Sequence, residues 1–290
     1  MNNQRESDLL IEIESTTESW VIHGIERDES FYDLFASLLF SFNEIYEPAY
    51  SYFGYINAWS DLIDEHLIDD LSYEDLADYL YCEDSINGWE EYFSNYSSVH
   101  RHDLRRHREN EFRNKKSLAK RLKHALNQYS KSLVVRVDLA YLKEHRDVNV
   151  DVFYRDIRTL CDYLGQRKGF LKHLVDYAWA LEQGSDKGYH CHVLMIFNGH
   201  KVQSGWGVAS KLGQVWIEDI TSKQGNYYNC HDPKQVARYT DLGILGIGRI
   251  YRDDIEACER CEKAVSYLTC PEKEEQYLRV KCTKRMRTFN

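Results

Sequence analysis

Apolar residues recur every three to four positions over residues 31–47 (FYDLFASLLFSFNEIYE), and Pro48 breaks the pattern, which predicts an amphipathic helix. The same period predicts helical pieces over 58–68 and 73–81, the second behind Ser72 as N-cap. The N-terminal region is therefore expected to be all-α. Downstream the period shortens to two. Residues 133–139 (LVVRVDL) read as a strand and 151–163 (DVFYRDIRTLCDY) as a helix. Residues 179–197 (WALEQGSDKGYHCHVLMIF) read as two strands around a polar, glycine-bounded turn. Residues 189–197 are apolar in both phases apart from two histidines, the pattern of a strand covered on both faces. Residues 199–229 read as loop with a helical piece over 207–216, 236–242 is ambiguous, and 253–269 is helical, with Pro271 ending it. The whole implies an α+β chain, with an acidic helical domain over 1–98, a connector over 99–130 and a second domain over 131–290.

Composition changes the picture through its distribution. The net charge of −10 averages two opposite parts: residues 1–98 hold 23 acidic and two basic side chains, whereas 99–290 hold 24 acidic and 35 basic ones. A phosphate backbone favours the second part and is repelled by the first. The stretch 99–130 (from VHRHDLRRHREN to KSLAKRLKHALNQYS) crowds cations onto a helical pattern, which repels itself and is better explained by phosphate contacts. Arg105, Arg106, Lys115, Lys116, Lys120 and Arg121 are its candidates for DNA contact, with Lys284, Arg285 and Arg287 at the other end of the chain. The alternatives are a solvated linker face and ordinary terminal solubility. Histidines 100, 102, 107 and 124 sit among these cations and are excluded as metal ligands. The acidic part reads as a helical domain with an aromatic core or as a partner-binding module. No run is apolar for the roughly 18 residues of a membrane span, and the acidic start has no signal-peptide pattern, so a cytoplasmic location is expected. Eight cysteines then read as reduced thiols.

Candidate chemistry gathers at the hairpin. His190 and His192 lie two apart on a strand, so both imidazoles leave one face while Cys191 points to the other. If residues 183–188 reverse the chain, Glu182 returns beside them. Two histidines and one carboxylate suit a divalent metal with open positions for a substrate oxygen. The alternative is a hydrogen-bonded structural pair of histidines. Asp138 is either a further ligand or a partner for Arg136. Cys258 and Cys261 fit either an apolar helix stripe or a zinc site completed by Cys270, Cys282, Cys230 or His231.

Glu182 eight positions before a His-x-His pair, with a helix bearing Tyr267 some 75 residues later, resembles the HUH endonucleases. The words WALEQGSDKGYHCHVLMIF, AVSYLT and RTF are similar, more narrowly, to replication proteins of inoviruses and related prophages, over about 131–290. The resemblance implies a mostly antiparallel sheet flanked by helices, with Mg2+ or Mn2+ at Glu182, His190 and His192. It also implies Tyr267 as nucleophile toward single-stranded origin DNA, a 5′-phosphotyrosine intermediate, and initiation of rolling-circle replication. The lysine that usually follows that tyrosine by three is Cys270 here. Lys263 and Lys273 are the substitutes, and Tyr239 and Tyr251 are rival nucleophiles. No GxxxxGK[ST] loop is present, so a helicase and other replication proteins would come from the host. The alternative is a DNA-binding regulator that keeps the scaffold with little cleavage, its acidic domain recruiting a partner.

Overall fold

A computed structural model describes residues 5–66, 72–269 and 276–290. Cys270, Lys273 and the end of the helix expected over 58–68 lie outside these. The fold is mixed α/β, with antiparallel sheets flanked by helices. In chain order come α1 (Glu6–His23), α2 (Glu29–Asn43), β1 (Ser51–Tyr52), α3 (Ile56–His66), α4 (Tyr73–Asn87), α5 (Trp89–Asn95) and α6 (Ser97–Gln128). There follow β2 (Lys131–Tyr141), α7 (Val150–Gln166), β3 (Leu174–Gly184), β4 (Gly188–Asn198) and α8 (Gly205–Val215). The last are β5 (Gly225–Asn229), α9 (Pro233–Asp241), β6 (Gly248–Tyr251), α10 (Ile255–Ser266) and β7 (Val280–Lys281). Two compact units result. One runs to His107 and adds Asp147–Asp151 and Leu278–Met286; the other is built from Arg108–Arg146, Val152–Tyr277 and Arg287–Asn290. Among the described residues no helix is long and apolar enough to cross a membrane.

The first unit has an aromatic core. Trp20 stacks on Trp59 at 6.0 Å between ring centroids, and Phe35 meets Trp59 and Trp89 edge-on. The two fully buried indoles of this core donate their N–H groups, Trp59 to Thr17 Oγ1 at 2.9 Å and Trp89 to the Leu80 carbonyl at 2.8 Å. Asp28 and Ser72 cap α2 and α4 by accepting from the amides of Phe31 and Asp75. One addition corrects the all-α expectation: Ser51–Tyr52 pairs with Lys281 and Val280. Two-residue strands with partners about 230 residues away leave no periodic signal. Beside this ladder Arg279 forms a buried 2.7 Å ion pair with Glu14.

His100 is buried in the same unit, stacked on Tyr55 at 4.3 Å and seated over Gly54. Gly54 has φ +56°, and a Cβ there would lie 2.3 Å from His100 Nδ1, so only glycine fits. Burial lowers the His100 pKa to about 4, Arg279 adding to the effect and Asp103 opposing it. His231, in the other unit, is lowered to about 4 by burial alone. An unfolded histidine takes up its proton near pH 6.5, and these folded ones refuse it until about pH 4. Stability present above pH 6.5 is therefore lost as the pH falls through that window. The denaturant midpoint is expected to be lower at pH 5 than at pH 7, with a smaller drop in His100→Gln; equal midpoints would contradict this.

The second unit is organised on a sheet of order β3-β4-β2-β5, with β6 also pairing β2, all antiparallel. The β3-β4 hairpin turns at Gly188, φ +63°. As its two-phase pattern predicts, β4 is interior and buried from Gly188 through Phe197. One face carries Tyr141, Cys191 and Tyr189, with Phe153 of α7 stacked on Tyr189 at 5.4 Å. The opposite face is divided. Its apolar half, Val134, Ala178, Leu194 and Ile196, packs with Leu118 and Leu122 of α6 and Cys261 and Val265 of α10. Its other half carries Arg136, Asp138, Glu182, His190 and His192. The outer edge of β3 is covered by residues 288–290: Leu181 N donates to the Thr288 carbonyl at 2.8 Å, and Trp179 and Asn290 exchange two bonds. The basic stretch expected as a connector is one continuous helix, α6. Two strands, β5 and β6, go unpredicted, and the ambiguous 236–242 is mostly helix α9.

Candidate metal centre

Register builds the site. Glu182 pairs with His190, and His192 lies between Ala180 on one side and Asp138 on the other. Cross-strand partners share a face, so strand pairing alone delivers two imidazoles and two carboxylates to one patch. Glu182, His190 and His192 are each less than 10% exposed, and their ligand atoms lie within 4.8 Å of one another. Glu182 Oε2 is 3.1 Å from His192 Nε2 and 3.4 Å from His190 Nε2. Among the described residues this is the one such group of histidine, cysteine and carboxylate side chains.

The outer nitrogens favour one tautomer. His190 Nδ1 lies 3.0 Å from the Gly188 carbonyl, and His192 Nδ1 lies 2.7 Å from Asp138 Oδ1, closer than the 3.2 Å to the Arg136 Nη2 donor; both oxygens can only accept. Each neutral ring must donate from Nδ1 and direct its Nε2 lone pair at Glu182, itself an acceptor. Three acceptors converging in a buried patch require a cation or a proton between them. A divalent ion meets that demand, and ligand histidines held by a carbonyl and a carboxylate are the usual second layer of such sites. Burial opposes charge on His192, but Asp138 and Glu182 outweigh it and raise its pKa. Burial likewise opposes ionisation of Asp138, yet His192 and Arg136 hold its carboxyl well below the usual range. A proton on His192 thus competes with metal, and affinity should rise with pH as that proton is lost. Titration calorimetry with Mn2+ near pH 6 in buffers of different ionisation enthalpy should show net proton release; none would contradict the acceptor geometry.

Arg136 extends the cluster. Its Nε and Nη2 hold Asp138 at 2.9 and 3.2 Å, and its guanidinium carbon stands 5.7 Å from the centroid of the Tyr267 ring. The sequence offered Arg136 only as one of two partners for Asp138 and carried no signal for the tyrosine above it. The two-residue spacing of Arg136 and Asp138 on a strand already put them on one face. Tyr267 directly follows α10 and is 51% exposed, while Ala257, Cys261, Val265 and Leu268 are buried in the apolar half. Burial pushes the Cys261 thiol up to about 12, and Cys258, Cys261 and Cys230 belong to that packing. Asp138, read as a ligand or as a partner of Arg136, is the carboxylate between Arg136 and His192.

Residues 92–240, just over half of the chain, match the YagK/YfjJ C-terminal domain. The chain belongs to the YagK/YfjJ C-terminal domain family. The family match starts within α5 and takes in α6 and β2 to α9, hence Asp138, Glu182, His190 and His192; it ends before α10 and Tyr267. No curated protein and no solved structure matches the chain.

The other candidate residues are placed as follows. Arg105, Arg106, Lys115, Lys116 and Lys120 are exposed along α6, Lys116 over the Phe112 ring at 4.4 Å. Arg121 is turned inward, its Nε and Nη2 holding Asp176 at 3.0 and 2.8 Å. Lys284, Arg285 and Arg287 are exposed, as is Lys263, one helical turn before Tyr267. Of the rival tyrosines, Tyr251 pairs with Lys131, seven residues along β2 from Asp138, about 23 Å at strand rise. Tyr239 lies on α9 beside Tyr228, which pairs with Asp138.

Proposed function

We propose that the protein nicks and rejoins single-stranded DNA through a covalent bond to Tyr267, and so starts rolling-circle replication of a phage or mobile element. The observation that carries this reading is one continuous series of contacts, Glu182 to His192 to Asp138 to Arg136 to Tyr267. It links a three-acceptor metal site to an exposed phenol. The likeness to HUH endonucleases and inovirus replication proteins, and the basic balance of residues 99–290, point the same way.

Glu182, His190 and His192 would hold Mg2+ or Mn2+, which supplies polarisation of the scissile phosphate. The Tyr267 oxygen attacks phosphorus. Its bond to phosphorus forms as the bond from phosphorus to the 3′ oxygen breaks; the phenol proton passes to solvent, and the leaving oxygen takes one up. The products are a 5′-phosphotyrosine and a free 3′-hydroxyl that can prime synthesis. One phosphodiester replaces another, so rejoining needs no nucleotide hydrolysis. Arg136 holds the Tyr267 ring in place, and Lys263, one turn earlier, takes the role of neutralising charge at the phosphate that is usually given to the lysine Cys270 replaces.

The test incubates the full chain with Mn2+ and labelled single-stranded oligonucleotides tiled across the DNA around its own gene. A labelled protein band surviving a denaturing gel is expected. Binding with no adduct on any oligonucleotide would favour the non-cleaving DNA-binding regulator.

A further inference from the structure

Two features of the second unit have no part in the proposed chemistry. Tyr228 on β5 pairs with Asp138, which pairs with His192. Tyr228 therefore stands on the metal face, two strands from His192 and about 10 Å away at sheet spacing. It is 45% exposed, although it faces the side that elsewhere buries its residues. The second feature is the chain after it. Helix α9 has no buried residue, and beyond it Leu242 and Ile244 are also exposed. A helix without a buried face gains little from packing on its own domain. Its side chains fall into two stripes. Gln235, Tyr239 and Leu242 form one, and Gln235 and Tyr239 lie beside Tyr228. Lys234 and Arg238 form the adjacent one, with Asp241 at its end and Asp232 spent as the N-cap.

We propose that Tyr228 and Tyr239 form a stacking platform for the bases of single-stranded DNA beside the metal centre, with Lys234 and Arg238 meeting its phosphates. Two exposed phenol rings next to a pair of cations offer what an unpaired strand presents, flat π faces and a charged backbone. A duplex hides its base faces in the stack and leaves only base edges and backbone accessible. The placement takes the nicking reading as its starting point, since the platform would hold the nucleotides next to the phosphate under attack.

The test measures anisotropy of labelled (dT)20, the matching duplex and (rU)20 with the full chain and no added divalent ion. Stacking is worth about 1–3 kcal/mol per base, so each Tyr→Ala should weaken (dT)20 binding about 5- to 150-fold. The double variant Tyr228→Phe, Tyr239→Phe should stay within about twofold, because the ring and not the hydroxyl is used. Duplex affinity and Mn2+ affinity should be unchanged in all variants, which also reports intact folding. Unchanged (dT)20 affinity in the double alanine variant overturns the platform, as does an equal loss in the phenylalanine variant. Tighter binding of (rU)20 than of (dT)20, lost in the alanine variants, overturns the assignment to DNA. Adduct formation separates the two claims: an adduct with tyrosine-independent binding refutes only the platform, and tyrosine-dependent binding without an adduct refutes only nicking.

Discussion

Tyr267→Phe is expected to abolish the covalent protein–DNA adduct, a loss of at least about 10³-fold, since removing an enzyme nucleophile costs up to about 10⁶ in rate. The ring stays over Arg136 and only the attacking oxygen goes, so the variant should fold as the parent does. Mn2+ affinity should be unchanged, because Tyr267 lies outside the Glu182, His190 and His192 group. Single-stranded DNA should still bind. The combination distinguishes a nucleophile from a packing residue, which at 51% exposure Tyr267 is not. An adduct of undiminished yield in Tyr267→Phe would transfer the role to another tyrosine.

Glu182→Ala should lower Mn2+ affinity by at least about 10²-fold, more than the 10- to 100-fold usual for a second-layer partner. Glu182 is the one anion among the three converging ligand atoms, and each histidine Nε2 faces it. Without it two neutral donors remain, too few for a hard divalent cation. Asp138→Ala, which leaves the ligand set intact but removes the acceptor for His192 Nδ1, should fall in the 10- to 100-fold range. The same order should appear in thermal shifts, since metal at 100 times its Kd stabilises by about 2.7 kcal/mol and a weakly bound one does not. Calorimetry giving equal Mn2+ affinity in the parent and Glu182→Ala would place the ion elsewhere.

The candidate metal-binding group was legible because everything that joins its members is local. A glycine-bounded turn and a period of two bring Glu182 to His190 without knowledge of any other strand. Asp138 was harder. Its contact with His192 depends on β2 pairing with β4 more than 50 residues later, and the sequence left it open as ligand or partner. Arg136 was read only toward Asp138, because the position of Tyr267 depends on how α10 packs over the sheet. The elements of the second unit that were missed or left ambiguous each lack a clean side-chain period. Strand β5 (GNYYN) alternates in burial without alternating in hydrophobicity, β6 is four residues long, and α9 has no buried face to impose a helical period. The closing of the β3 edge by residues 288–290 is made of backbone hydrogen bonds, which carry no side-chain pattern.

One measurement bears most directly on a joint metal and tyrosine centre: peptide mapping by mass spectrometry of the adduct formed with Mn2+. The expected result is a nucleotide mass on Tyr267, present with Mn2+ and absent with chelator or in a His190→Ala, His192→Ala variant. A nucleotide on Tyr239, Tyr228 or Tyr251, or on Tyr267 without any need for metal, would contradict it.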